Sequence, residues 1–206
     1  MKITKIIEKI LEPKYKKAIK DYFGDRVDEF WEELDNMDRS ILFDDGTEEF
    51  DGHNPDHIER VVVLGLLLCV SAKAPLELWR LLLVALKYHD CGRVDNQEDP
   101  AHSGRSADIV QKMYESKNAA LASVHAKEEL EMIKIAIQHH SLDSKLLTAF
   151  AKDSTQYQLC AYLKDADCLD RVRFVGLDPA YLLTPHAKKM EKFADWFHSE
   201  YVWSAE

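Results

Sequence analysis

Apolar positions recur at helical spacing along most of this chain. Residues 2–23 carry Ile3, Ile6, Ile7, Ile10 and Leu11, and residues 26–42 repeat the pattern with Val27, Phe30, Trp31, Leu34 and Ile41. The segment Phe43 to His53 is acidic and turn-rich and reads as a loop. Asn54 followed by Pro55 is a start signal, predicting a helix to about Ala72. Its stretch from Val61 to Leu68 is apolar nearly all round, which places it centrally. A second helix is expected over Leu76 to Tyr88, a third from Asp99-Pro100 through Met113, and a fourth from about Ala119 to His139. A fifth covers about Thr155 to Phe174, and Thr184-Pro185 opens a last one through Tyr201. Strand-like alternation is scarce, so the expected fold is all-α.

Composition agrees. Seven Gly and six Pro in 206 residues are few for the turns of an all-β chain. The length suits one core, read as a domain over residues 49–206 with a helical extension over 1–48 packed on it. A net charge of −10 argues against a general nucleic-acid binder, though not against a small phosphorylated substrate. Cys69, Cys91, Cys160 and Cys168 form no CxxC pair and sit in apolar or motif-rich segments, so no disulfide framework is expected. The N-terminus has no signal-peptide core, and Val61 to Val70 is too short to span a bilayer. The expected home is the reducing cytoplasm, without membrane contact. The four tryptophans suit core or interface packing, and a homodimer is compatible with that.

Several histidines and aspartates fall on the apolar stripes. His57 shares a face with Val61, Leu64 and Leu68, while His89 follows Leu82 and Leu86, and Asp90 follows Leu83 and Leu86. His102 leads Ser106, Ile109 and Met113, and His140 follows Leu130, Ile133 and Ile137. His139 lies about 100° round from it, on the stripe of Met132 and Ala136. Asp167 lies with Cys160, Leu163, Arg171 and Phe174, whereas Asp165 is about 160° away, on the side read as solvent-facing. Asp170 also falls on the inner side. A single polar group on such a stripe is ordinarily satisfied by a local hydrogen bond. Five helices each aiming a His or Asp inward point instead to a metal, because buried imidazoles and carboxylates are costly unless paired or ligating. Imidazole with carboxylate suits Fe, Mn, Zn or Ni better than Mg, and the lack of paired thiols disfavours a zinc finger.

The ordered set His57 (in DHIERV), His89-Asp90 (in YHDCGR) and Asp167 (in LKDADCLDRVR) resembles the H…HD…D signature of the HD-domain metal-dependent phosphohydrolase superfamily. With His102 (in DPAHSGRSADIV) and His139-His140 (in AIQHHS) it resembles the H…HD…H…H…D variant with a two-metal site. The likeness spans roughly residues 50–185, and the first 45 residues carry no part of it. It implies an HD-type helical bundle in which His57, His89, Asp90 and Asp167 hold one divalent ion. Asp90, His102 and His140 would hold a second, with His139 as competitor or additional ligand.

The chemistry implied is hydrolysis of a small phosphorylated substrate, nucleotides included, by metal-activated water, the metal lowering the pKa of water from ~15.7 towards ~7. Asp90, Arg93 and Lys164 are the expected catalytic residues, and Arg93 and Arg171 the expected substrate contacts. Arg93 leads because it follows the HD pair by three residues, after Gly92, and a guanidinium grips phosphate in bidentate fashion. Arg171 and Arg173 could equally pair with Asp170, and Arg60 with a ligand carboxylate. Two rival readings stay open: a di-iron oxygenase with the same ligand order, and a binding module without turnover.

Overall fold

A computed structural model of the protein describes Lys17 and residues 55–95, 97–174 and 176–204. Apart from Lys17, which is helical, the two helices expected over 2–42, the loop over 43–53, the Asn54 cap and the 1–48 extension lie outside the described residues.

The described residues form an all-α bundle, with no strand among them. Helix α1 runs Pro55–Ala72 and α2 runs Leu76–Tyr88, both where the apolar pattern puts them. Then come α3 (His102–Glu115), α4 (Lys127–His140), α5 (Thr155–Leu169), a short α6 (Pro185–Lys188) and α7 (Glu191–Ser204). Every residue of α1 from His57 to Cys69 is buried, as expected of a helix apolar all round. It packs on α2 and α5, α4 lies against α2, α3 and α5, and α7 meets the turn that follows α5. All four cysteines are free and buried within this core. No described helix is long and apolar enough to cross a membrane.

Four expected helices begin or break elsewhere, two of them because a polar side chain takes a backbone amide. Asp99 does not cap α3. Its carboxylate accepts from the Ala101 amide (3.3 Å), closing a turn that delays the helix to His102. The fourth segment is not continuous from Ala119: a 3-10 turn at Ala119–Leu121 is capped by Asn118, and α4 begins at Lys127. There Glu129 folds back to accept from His125 N (2.6 Å) and Ala126 N (3.3 Å). Arg80 of α2 clamps the same carboxylate at 3.0 and 2.5 Å, which holds Glu129 down to about pKa 2 and pins α4 to α2. Helix α5 stops at Leu169 and tightens into a 3-10 turn over Asp170–Arg173. The last helix is interrupted between Lys188 and Glu191.

Asp165 corrects the expectation of a solvent-facing side on α5. Its carboxylate is fully buried and accepts from the amides of Leu183 (2.6 Å) and Thr184 (2.9 Å), tying the segment before α6 to the core. Burial pushes its carboxyl up. The phase is as expected, but α5 is covered on that side too.

Candidate metal centre

Five helix ends or turns bring the sequence-predicted residues together. His57 stands in the first turn of α1, His89 and Asp90 just after α2, His102 at the first position of α3, His140 at the last of α4, and Asp167 near the end of α5. Apart from half-buried Asp167, all of these are buried.

Each imidazole is oriented through Nδ1. His89 Nδ1 donates to the Leu86 carbonyl (2.9 Å), His140 Nδ1 to the Ile137 carbonyl (2.6 Å) and His102 Nδ1 to the Asp99 carbonyl. His57 Nδ1 donates to Asp170 Oδ2 at 2.8 Å. These partners only accept, so each Nδ1 carries the ring proton and each Nε2 presents a lone pair. The four Nε2 atoms converge on two carboxylates. His57 Nε2 is 3.5 Å from Asp167 Oδ1 and 3.7 Å from Asp90 Oδ2, and His89 Nε2 is 3.9 and 3.7 Å from the same two atoms. On the other side of Asp90, Oδ1 is 3.2 Å from His102 Nε2 and 3.4 Å from His140 Nε2. Those two nitrogens are 3.0 Å apart. Asp90 thus turns one oxygen to each pair of histidines.

The arrangement brings acceptors together with few donors. His57 Nε2, His89 Nε2 and Asp90 Oδ1 are buried without a hydrogen-bond partner. Buried lone pairs of this kind are costly, and only positive charge relieves several at once. Two ligands at ~2.1 Å from one cation lie roughly 3.0–3.5 Å apart, close to the separations here. His57, His89 and Asp167 offer one donor atom each within 4.8 Å of one another, and so do His89, Asp90 and His140. The residues therefore fit a divalent cation at either group.

The electrostatics agree. Burial pushes His89 down to about 4, so its ring is neutral at neutral pH, the form in which an imidazole can ligate. Burial opposes ionisation of Asp90 and Asp167, yet the surrounding imidazoles hold both below the usual carboxylate range. Burial likewise disfavours a proton on His140, but Asp90 outweighs it and raises that ring.

His139 belongs to neither group. Its ring stacks edge-on to Phe150 at 5.8 Å, and its Nδ1 is buried without a partner. Helix α4 stays regular through His140, so the stripe that favours His140 over His139 holds.

A cavity of about 660 Å³ is lined by Asp90, His102, His140 and Asp167. Arg93, Lys164, Arg171 and Arg173 also line it, beside the acids Glu98, Asp99 and Asp143. Arg93 is turned towards the centre rather than to the neighbouring acids: its Nε donates to Asp90 Oδ2 (3.1 Å), and Nη1 reaches the Gln97 carbonyl at 3.5 Å. Lys164 is engaged in holding the end of α4, donating to the carbonyls of His140 (2.8 Å) and Leu142 (2.5 Å). Arg171 is exposed, whereas Arg173 pairs with Asp170 (3.2 Å). Arg60 pairs with Asp170 as well. The exposed rings of Phe174 and Tyr181 also line the cavity. The sequence reading gave Phe174 no more than a place on the stripe of Asp167 and passed over Tyr181, since neither carries a motif. No family model, curated protein or solved structure matches the chain.

Proposed function

We propose that this chain is a metal-dependent phosphohydrolase of the HD type, acting on a small phosphorylated substrate. The observation that carries the reading is the convergence of four imidazole Nε2 atoms and two carboxylates in one cluster, where His57 Nε2, His89 Nε2 and Asp90 Oδ1 are buried without a hydrogen-bond partner. The order of those six residues along the chain, which resembles the family signature, supports it. His57, His89, Asp90 and Asp167 would hold one ion, and Asp90, His102 and His140 a second, with Asp90 shared through its two oxygens. Fe, Mn, Zn and Ni all suit this donor set.

Divalent ions held there would supply water activation at neutral pH and neutralise charge on a phosphoryl group. The chain's own residues do the rest. Arg93, braced on Asp90 beside the cluster, offers guanidinium N–H groups to phosphate oxygens. Arg171, exposed on the same cavity, adds a second contact. Lys164 fixes the carbonyl end of α4 and so the position of His140, while its charge favours an anionic substrate. Arg93 beside the cluster and exposed Arg171 on the same cavity favour phosphate ester hydrolysis over the oxygenase reading.

The test combines elemental analysis with a screen of phosphate mono- and diesters after loading with Mn²⁺, Fe²⁺, Zn²⁺ or Ni²⁺. One or two ions per chain and turnover of at least one ester are expected, with Asp90→Asn losing turnover by on the order of a hundredfold or more. A chain that retains no metal, or a loaded chain that consumes oxygen and hydrolyses no ester, would sink the reading.

A further inference from the structure

Asp170 stands three residues after Asp167, where α5 tightens into its 3-10 turn, and it is 1% exposed. Its Oδ2 takes the Nδ1 proton of His57 at 2.8 Å. Arg60 grips the same carboxylate from α1, Nε on Oδ1 at 2.7 Å and Nη2 on Oδ2 at 3.0 Å, and Arg173 adds Nη1 on Oδ2 at 3.2 Å. The other three imidazoles of the centre are oriented by the carbonyl three residues upstream, an acceptor that any helix or turn supplies. His57 alone among them is oriented by a carboxylate, and that carboxylate is fixed by two cations.

We infer that Asp170 is a positioning residue for the metal centre. It locks His57 as the Nδ1–H tautomer and aims Nε2 at Asp90 and Asp167, with Arg60 and Arg173 holding the carboxylate in place. An ionised acceptor on Nδ1 also makes Nε2 a stronger donor to a cation. Arg173 lines the substrate cavity, so this network joins the cavity wall to a ligand. The inference rests on the proposed metal reading.

Two measurements test it on the full chain, neither requiring turnover. The first is the His57 tautomer in the metal-free protein, read from long-range ¹H–¹⁵N spectra. The second is Zn²⁺ affinity by calorimetry for the parent, Asp170→Asn and Asp170→Ala. The parent should show His57 as Nδ1–H, and Asp170→Asn, which keeps the shape but loses the charge, should shift that signal. Its Zn²⁺ affinity should fall about 10- to 100-fold. If Asp170→Ala does not fold, the Asn variant decides. A parent His57 protonated on Nε2 would overturn the inference. So would an Asn variant that melts lower but keeps the parent's tautomer and an affinity within about twofold, the signature of a merely structural role. A parent that takes up no Zn²⁺ would instead remove the metal reading itself.

Discussion

Removing the Asp165 carboxylate would leave the amides of Leu183 and Thr184 without their acceptor, and Thr184 is buried. The expected cost of Asp165→Ala is about 1–3 kcal/mol, several degrees of melting temperature, with metal content unchanged. Asp167→Ala should do the reverse. Its carboxylate faces the cavity and the imidazoles of His57 and His89, so the metal-free chain should melt within a degree or two of the parent. Its metal affinity should nonetheless drop at least ~10-fold, since even outer partners of ligands are worth that much. Melting curves and metal titrations of the two variants check both halves, and equal effects would mean that the two carboxylates share one role. The stripe pattern located all six converging residues because side chains on one helix face stay together whatever packs there. It could not show that the opposite face of α5 is covered, because the segment that covers it arrives 18 residues later in the chain. For the same reason the sequence placed Asp170 inward but left open whether Arg171 or Arg173 would pair with it, and offered Arg60 to a ligand carboxylate instead.

Between elements, the turn after α2 packs tightly on the start of α3. The Gly92 amide donates to Ser106 Oγ (2.9 Å), and Arg105 Nε donates to the Gly92 carbonyl (2.8 Å). A Cβ on Gly92 would lie 2.4 Å from Ser106 N and 2.7 Å from the His102 carbonyl oxygen, both backbone atoms that cannot swing away. Gly92 is therefore required for this contact and not, as its place in the sequence suggests, merely for a sharp exit. Gly92→Ala should push α3 off the turn, costing about 1–3 kcal/mol. It should also separate His102 from Asp90, now 3.2 Å apart, and lower bound metal from two ions towards one. Melting temperature and metal equivalents per chain check this. A variant that keeps both ions would show that α3 can shift without moving His102. Helix α2 is legible to the residue because its ends coincide with Pro75 and the HD turn. The breaks near 122–126 and 189–190 carry no Gly or Pro, and the first depends on Glu129 and Arg80, whose contact exists only once α2 and α4 are packed.

Across the whole molecule, the centre gathers one end or turn from each of α1 to α5, which together make most of the core. Pulling these ends together concentrates two carboxylates and four imidazoles in one buried place, a local strain that the surrounding apolar packing must carry in the metal-free chain. A cation that binds the folded chain and not the unfolded one stabilises it by mass action, about 2.7 kcal/mol at a hundred times the dissociation constant. For a chain of about this length each kcal/mol is worth roughly 2–4 °C, so the melting temperature should rise by about 5–11 °C. A chelator should reverse the rise. The same titration on Asp90→Ala is the control, because that change removes the carboxylate turned to both pairs of histidines. Its metal-free melting temperature should fall, because Arg93 and the imidazoles lose their partner, and added metal should raise it by less than about a third as much as in the parent. If Asp90→Ala responds to metal as the parent does, the stabilising ion sits elsewhere on the chain, and the two-sided use of Asp90 is not what joins the five helices.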